Sequence, residues 1–158
     1  MDIEIDLRER ALHVIDVENV MGGPDTPASA IGVVLDGYRR RVGHRPGDLV
    51  VAAASHWVME RVLFELPSWI RPCHAAGGGA DAADRWLLDH VDVGWAARRV
   101  GRVVVASGDA GFWSLASSCR SAGVRVEVAS IGRCLSADLD ALADSVHVLD
   151  DPALALAA

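Results

Sequence analysis

The chain has 158 residues, of which 51% are hydrophobic and 23% charged, as expected for one globular domain. Fifteen arginines and no lysines stand against 22 acidic residues, and the resulting net charge of −7 excludes a protein that coats nucleic acid by bulk positive charge. No apolar run reaches the roughly 18 to 20 residues of a bilayer span, and the acidic N-terminus is unlike a secretory signal, so we expect a cytoplasmic protein without membrane contact.

The first half of the chain alternates strand patterns with helix patterns. Strands are predicted over residues 12–15, 48–54 and, more weakly, 69–74, with helices from about Pro27 and over 56–66. Pro72 would confine the third strand to a sheet edge or a strand end, because proline cannot donate to the ladder.

The second half of the chain repeats this alternation. Strands are predicted over 102–106, 124–129 and 146–149, and helices over 82–99, 111–122 and 136–143. Strict alternation indicates right-handed crossovers and a mainly parallel sheet covered on both faces. We therefore predict an α/β fold, a three-layer α/β/α sandwich. It forms a single domain over residues 1–158 with its core at about 12–149, and the segments 1–10 and 153–158 look like tails.

Four aspartates lie where this fold would place a site. Asp16 ends the first strand, Asp109 follows the fourth, and Asp81 with Asp84 begins the helix after a glycine-rich loop. The functional crevice of an open parallel sheet lies beyond the carboxyl ends of its strands, so we expect these acids to meet. Clustered carboxylates repel each other unless a hard cation neutralises them. The pattern predicts an Mg²⁺ or Mn²⁺ site suited to phosphodiester hydrolysis.

Each acid also has a purely structural interpretation. Asp81 is a candidate helix N-cap, Asp84 would be favoured in a first helical turn, and Asp109 could serve a turn beside Gly108. Asp16 is harder to explain in this way, since no helix start is predicted immediately after it. The four acids together favour a site over four separate local roles.

Several segments resemble the NYN domains, a branch of the PIN-like nuclease superfamily. The similar segments are residues 14–19 (Val-Ile-Asp-Val-Glu-Asn), 79–88 (a helix start with two aspartates), 107–112 (Ser-Gly-Asp-Ala-Gly-Phe), 135–139 and 142–144. Each motif alone is weak, but they occur in family order across nearly the whole chain. The resemblance implies a PIN-like, Rossmann-like fold and a metal-dependent ribonuclease.

The resemblance also implies roles for individual residues. The metal ligands would be Asp16, Asp84 and Asp109, with Asp81 as a fourth acid, and Asn19 would orient a ligand or contact phosphate. Many family members carry a second acid where this chain has Gly111, which implies a smaller ligand set.

Two further residues are candidate RNA contacts. Ser107 precedes the glycine of the Ser-Gly-Asp turn and would contact phosphate if the resemblance holds. Arg85 lies beside the expected crevice and could contact the RNA backbone. Trp57, Trp86 and Trp95 fall at helical positions typical of core or dimer contacts, so a homodimer is also considered.

Three functions remain open from the sequence. The first is an Mg²⁺- or Mn²⁺-dependent endoribonuclease, and the second is a catalytically weak or inactive PIN-like module that binds RNA or protein. The third, a nucleotide-binding or phosphatase-like enzyme, lacks the lysine that such phosphatases use. The six histidines show no zinc-ligand spacing, so no histidine is predicted to bind metal.

Overall fold

The computed structural model describes residues 6–157, and its centre is one six-stranded sheet. The strands are β1 (Ala11–Asp16), β2 (Leu49–Ser55), β3 (Cys73–Ala76), β4 (Arg102–Ala106), β5 (Arg125–Ile131) and β6 (Ser145–Leu149). All neighbouring strands pair in parallel, in the order β3-β2-β1-β4-β5-β6. The predicted parallel α/β architecture is confirmed.

Helices cover both faces of this sheet. They are α1 (Val17–Met21), α2 (Ile31–Val42), α3 (His56–Val62), α4 (Ala82–His90), α5 (Val93–Arg99), α6 (Trp113–Ser121), α7 (Ala137–Leu142) and α8 (Pro152–Leu156). The apolar residues of α1, α2 and α3 pack in one core, and those of α4 to α7 pack in a second core on the other face. Alternate residues of β4 enter the two cores: Val104 joins the first and Val103 the second. The result is the expected three-layer sandwich.

The strand order places a reversal at the centre of the sheet. From β1 the chain crosses to β2 and β3 on one side, and then returns past β1 to β4, β5 and β6 on the other side. Crossovers on the two sides of such a reversal leave toward opposite faces and open a crevice at the carboxyl ends of the central strands. Asp16 ends β1, one of the two strands that flank the crevice.

Some element boundaries differ from the sequence prediction. The predicted helix over 82–99 is two helices, because Asp92 interrupts it and caps α5 by accepting a hydrogen bond from the Trp95 N–H at 2.8 Å. The third strand begins later than predicted, at Cys73. It lies at the edge of the sheet, one of the two positions predicted from Pro72.

Two short helices were not predicted. Helix α1 follows β1 directly, and α8 forms where a tail was expected, with Asp151 as its N-cap and a proline in its first turn. Trp57, interpreted as a core or dimer contact, is 63% exposed and therefore does not belong to the core. Within residues 6–157, no helix has the length and apolar character needed to cross a bilayer.

Candidate functional site

A cleft of about 220 Å³ lies at the carboxyl edge of the sheet, at the strand-order reversal. Five carboxylate side chains line it: Asp16, Glu18, Asp81, Asp84 and Asp109. The other lining residues are Asn19, Gly22, Gly23, Ala80, Ala83 and Cys134, so the lining drawn from residues 6–157 contains no basic side chain. The structure thus brings together the four aspartates that the sequence singled out, which come from three separate segments.

Asp16 is the most buried of these acids, with 5% of its surface exposed. Its side chain accepts a hydrogen bond from the Asn19 N–H at 3.3 Å and caps α1. The expectation that no helix begins beside Asp16 was therefore wrong. The capping bond uses one carboxylate oxygen, and the same side chain still lines the cleft.

Asp16 and Asp84 are close enough for their carboxyl groups to influence each other. Burial raises the pKa of Asp16 well above its usual range, and the neighbouring carboxyl group of Asp84 raises it further. Burial also raises the pKa of Asp84, and the charges of Asp109 and Asp81 act in the same direction. Both shifts oppose ionisation of the two carboxyl groups, and a divalent cation beside them would offset this by stabilising the charged forms.

The remaining acids are more accessible. Asp81 and Asp109 are exposed, and Asp109 also accepts a hydrogen bond from the Gly111 N–H at 2.6 Å. Asp81 stands at the N-cap position of α4, but its side chain makes no capping hydrogen bond, so the capping interpretation does not account for it. Both carboxylates can therefore turn toward a ligand in the cleft.

Glu18 was not predicted as a site residue. It lies in the first turn of α1, and its Oε1 accepts a hydrogen bond from the Ser55 N–H at 3.1 Å, which holds the side chain against the end of β2. The available signal was its position two residues after Asp16. It was missed because a first-turn glutamate could be recognised only once α1 was known to begin at Val17.

Asn19 connects the two sides of the crevice. Its Oδ1 accepts a hydrogen bond from the Gly108 N–H at 3.0 Å, so α1 is tied to the turn that carries Asp109. The resemblance implied that Asn19 orients a ligand or contacts phosphate, and in the structure Asn19 both holds this turn and lines the cleft.

The two predicted RNA contacts are placed differently. Ser107 is fully buried, and its Oγ accepts a hydrogen bond from the Asp109 N–H at 3.2 Å, so it shapes the turn and is out of reach of a substrate. The predicted substrate contact at Ser107 is not supported by this placement. Arg85 is exposed on α4, with its guanidinium near Gly79, outside the residues that line the cleft.

Comparisons with known proteins support the fold alone. No family model matches the sequence, and no curated protein matches it significantly. The chain is similar to a crystal structure of a protein of unknown function from Vibrio parahaemolyticus, with 20% identity and a TM-score of 0.60. The similarity covers 93% of this chain and 96% of the other chain. The fold is therefore shared with a solved structure over most of the chain.

Replacing Asn19 with Ala is expected to reduce stability by about 1 to 2 kcal/mol, because the Gly108 N–H loses its acceptor near the buried end of β4. Thermal unfolding measures this loss. Asn19→Asp is the matched control, since it keeps an acceptor oxygen but adds a sixth carboxylate to the cleft. Equal stability of wild type and Asn19→Ala would show that the hydrogen bond does not hold the turn.

Metal-free protein is expected to lose stability as the pH rises through the raised pKa of the Asp16 and Asp84 pair. Between the unfolded value of about 3.9 and the folded value, the folded state binds more protons than the unfolded state, so the free energy of unfolding falls with increasing pH. Millimolar Mg²⁺ or Mn²⁺ should then raise the melting temperature most at the highest pH. Melting curves with chelator and with metal between about pH 5 and about pH 8 measure both effects. Superimposable curves would contradict metal binding in the cleft.

Proposed function

We propose that this protein is a divalent-metal-dependent ribonuclease of the NYN, PIN-like type, acting on RNA in the cytoplasm. The observation that carries the proposal is the convergence of five carboxylates, led by the buried Asp16 and the half-buried Asp84, in a cleft at the strand-order reversal. The order of motifs resembling the NYN domains supports the choice of RNA as substrate.

The donor set fits Mg²⁺ or Mn²⁺. All five acidic side chains offer carboxylate oxygens, which are the ligands that hard cations prefer. The lining contains one thiol, that of Cys134, and no imidazole. Asp16, Asp84 and Asp109 would hold the cation, with Asp81 next to them. Such a cation, when bound, neutralises charge on a phosphoryl oxygen and lowers the pKa of a coordinated water.

The protein's own residues supply positioning. Asp16 is held by its capping bond, and Asn19 ties the turn that carries Asp109 to α1 through Gly108. Trp113 follows the same turn, is 46% exposed, and offers a ring on which an unpaired base can stack. We therefore favour single-stranded RNA over duplex RNA as substrate.

The test is a cleavage assay with purified protein and end-labelled mixed-sequence RNA in Mg²⁺, in Mn²⁺ and in excess chelator. We expect endonucleolytic fragments with either metal and none with chelator. A DNA of the same sequence is the control that tests whether cleavage requires ribose. Fragments that persist in chelator would identify a contaminating metal-independent nuclease. The absence of any cleavage that depends on Mg²⁺ or Mn²⁺ would contradict the proposal.

A second candidate function is an RNA- or protein-binding module with weak or no catalysis. Gly111 favours this binding module, because the glycine stands where many NYN domains have a second acid. It has no side chain to offer a metal, and its N–H donates a hydrogen bond to Asp109 Oδ1. RNA binding measured by fluorescence anisotropy, together with no cleavage in either metal, would support the module over the enzyme.

A further inference from the structure

A second cluster of ligand-type side chains lies at the other end of β1. It consists of His13 in β1, His44 in the loop between α2 and β2, and Asp48 immediately before β2. One ring nitrogen of each histidine and one carboxylate oxygen lie within 4.8 Å of one another. We propose that His13, His44 and Asp48 form a zinc-binding site, separate from the acidic cleft and independent of the function proposed for it.

The geometry of the cluster is close to that of a metal site. His13 Nε2 and Asp48 Oδ2 are 3.2 Å apart. In a tetrahedral zinc site with ligand distances of about 2.0 to 2.2 Å, two ligand atoms stand about 3.3 Å apart. The first pair is thus already near the required separation, and the ring of the half-buried His44 would move closer to complete the set.

Neighbouring groups hold the first two ligands in place. His13 Nδ1 is 2.7 Å from the hydroxyl of the buried Tyr38, and without a metal His13 Nε2–H donates to Asp48 Oδ2 at 3.2 Å. The tautomer with Nδ1 protonated toward the Tyr38 oxygen would leave the Nε2 lone pair for a metal held between His13 and Asp48. Asp48 accepts hydrogen bonds from the Ala11 N–H at 2.9 Å and the Arg45 N–H at 2.8 Å. Ligating histidines in zinc sites are usually oriented in this manner by a partner on the second ring nitrogen.

The cluster also contains unsatisfied polar atoms. Within residues 6–157, the buried side-chain nitrogens that lack a hydrogen-bond partner are His44 Nδ1 and Trp69 Nε1. The two rings pack against each other with centroids 4.8 Å apart. A buried polar nitrogen without a partner destabilises the folded state, so this corner of the fold is incomplete without a ligand or a water.

The donor types suit a transition metal. Burial lowers the pKa of His13 to about 4 and also lowers the pKa of His44. Burial opposes the charge of Asp48, but hydrogen bonds from two backbone N–H groups prevail and hold the pKa of this carboxyl below its usual range. Two neutral imidazoles and one carboxylate select zinc or a similar transition ion over Mg²⁺.

The test is metal binding by chelator-treated full-length protein, with Zn²⁺ titrated by calorimetry and Co²⁺ followed by its visible absorption. We expect one tight Zn²⁺ site and the intense bands of tetrahedral cobalt. His44→Ala should weaken Zn²⁺ binding at least about 100-fold and abolish those bands. His44 is half-buried and makes no hydrogen bond through Nδ1, so this variant should fold.

Two control variants separate this site from other metal binding. His90→Ala removes an exposed histidine on α4 and should leave the affinity for Zn²⁺ unchanged. Asp84→Asn impairs the acidic cleft, and it too should leave the cobalt spectrum unchanged. Equal Zn²⁺ affinity of wild type and His44→Ala, or loss of the cobalt bands in Asp84→Asn, would overturn the proposal. Neither result bears on RNA cleavage in Mg²⁺, so the two proposals fail separately.

Discussion

Asp16→Asn is expected to lower Mn²⁺-dependent RNA cleavage by at least about 100-fold, equivalent to about 2.7 kcal/mol of transition-state stabilisation. Asparagine has the same shape as aspartate and caps a helix equally well. The hydrogen bond from the Asn19 N–H to the side chain of residue 16 should therefore survive, and α1 with it. The variant loses the charge that a cation requires. Initial rates with labelled RNA measure the effect.

Asp89→Asn is the matched control for this experiment. Asp89 lies on α4 like Asp84, but it is exposed and outside the cleft, so cleavage should stay within about twofold of wild type. The same assay on Asp84→Asn should reproduce the loss seen in Asp16→Asn. Residual cleavage equal to wild type in both cleft variants would remove these acids from the catalytic machinery.

Gly108→Ala is expected to lower the stability of the protein by about 3 kcal/mol, or about 6 to 12 °C in melting temperature. A Cβ at this position would stand 2.2 Å from the carbonyl oxygen of Cys134 and 2.4 Å from the Ser130 hydroxyl. The carbonyl belongs to the backbone and cannot rotate away, so the turn itself must move. This close approach explains why the glycine of the Ser-Gly-Asp turn is needed in this fold.

Gly37→Ala is the control for that substitution. Gly37 lies within α2, and a Cβ there meets no atom within 4 Å, so alanine should leave stability unchanged or raise it by about 0.5 to 1 kcal/mol. Circular dichroism melts of the two variants compare them directly. A Gly108→Ala protein as stable as Gly37→Ala would show that the backbone at this turn can move without loss.

The fold was largely predictable because its strands are buried runs with clear ends. Residues 102–106 form β4 as predicted, since a continuous β-branched segment between polar residues has few other conformations. The five-residue α1 was missed because one short turn has no periodicity to detect. The break at Asp92 was missed because the apolar spacing continues across it.

The candidate site was predictable only in part. Aspartates at strand ends can be assigned to one edge of a parallel sheet, and the cleft contains those that were expected. The position of a residue at a strand end does not predict which way its side chain points in the following turn. Ser107 was therefore predicted to contact substrate, although its side chain is buried. The histidine cluster was missed because His13 and His44 are 31 positions apart and meet only when the loop after α2 folds against β1.

The hydrogen bond between Asn19 and Gly108 joins the two walls of the cleft beyond the end of the sheet. The backbone ladder between β1 and β4 ends at the pair Ile15 and Ala106, and the crossovers then leave toward opposite faces. One side-chain amide continues the link between the two segments past the last backbone pair. A substitution at Asn19 would therefore loosen the turn that carries Asp109 while the cores beneath the cleft stay as they are.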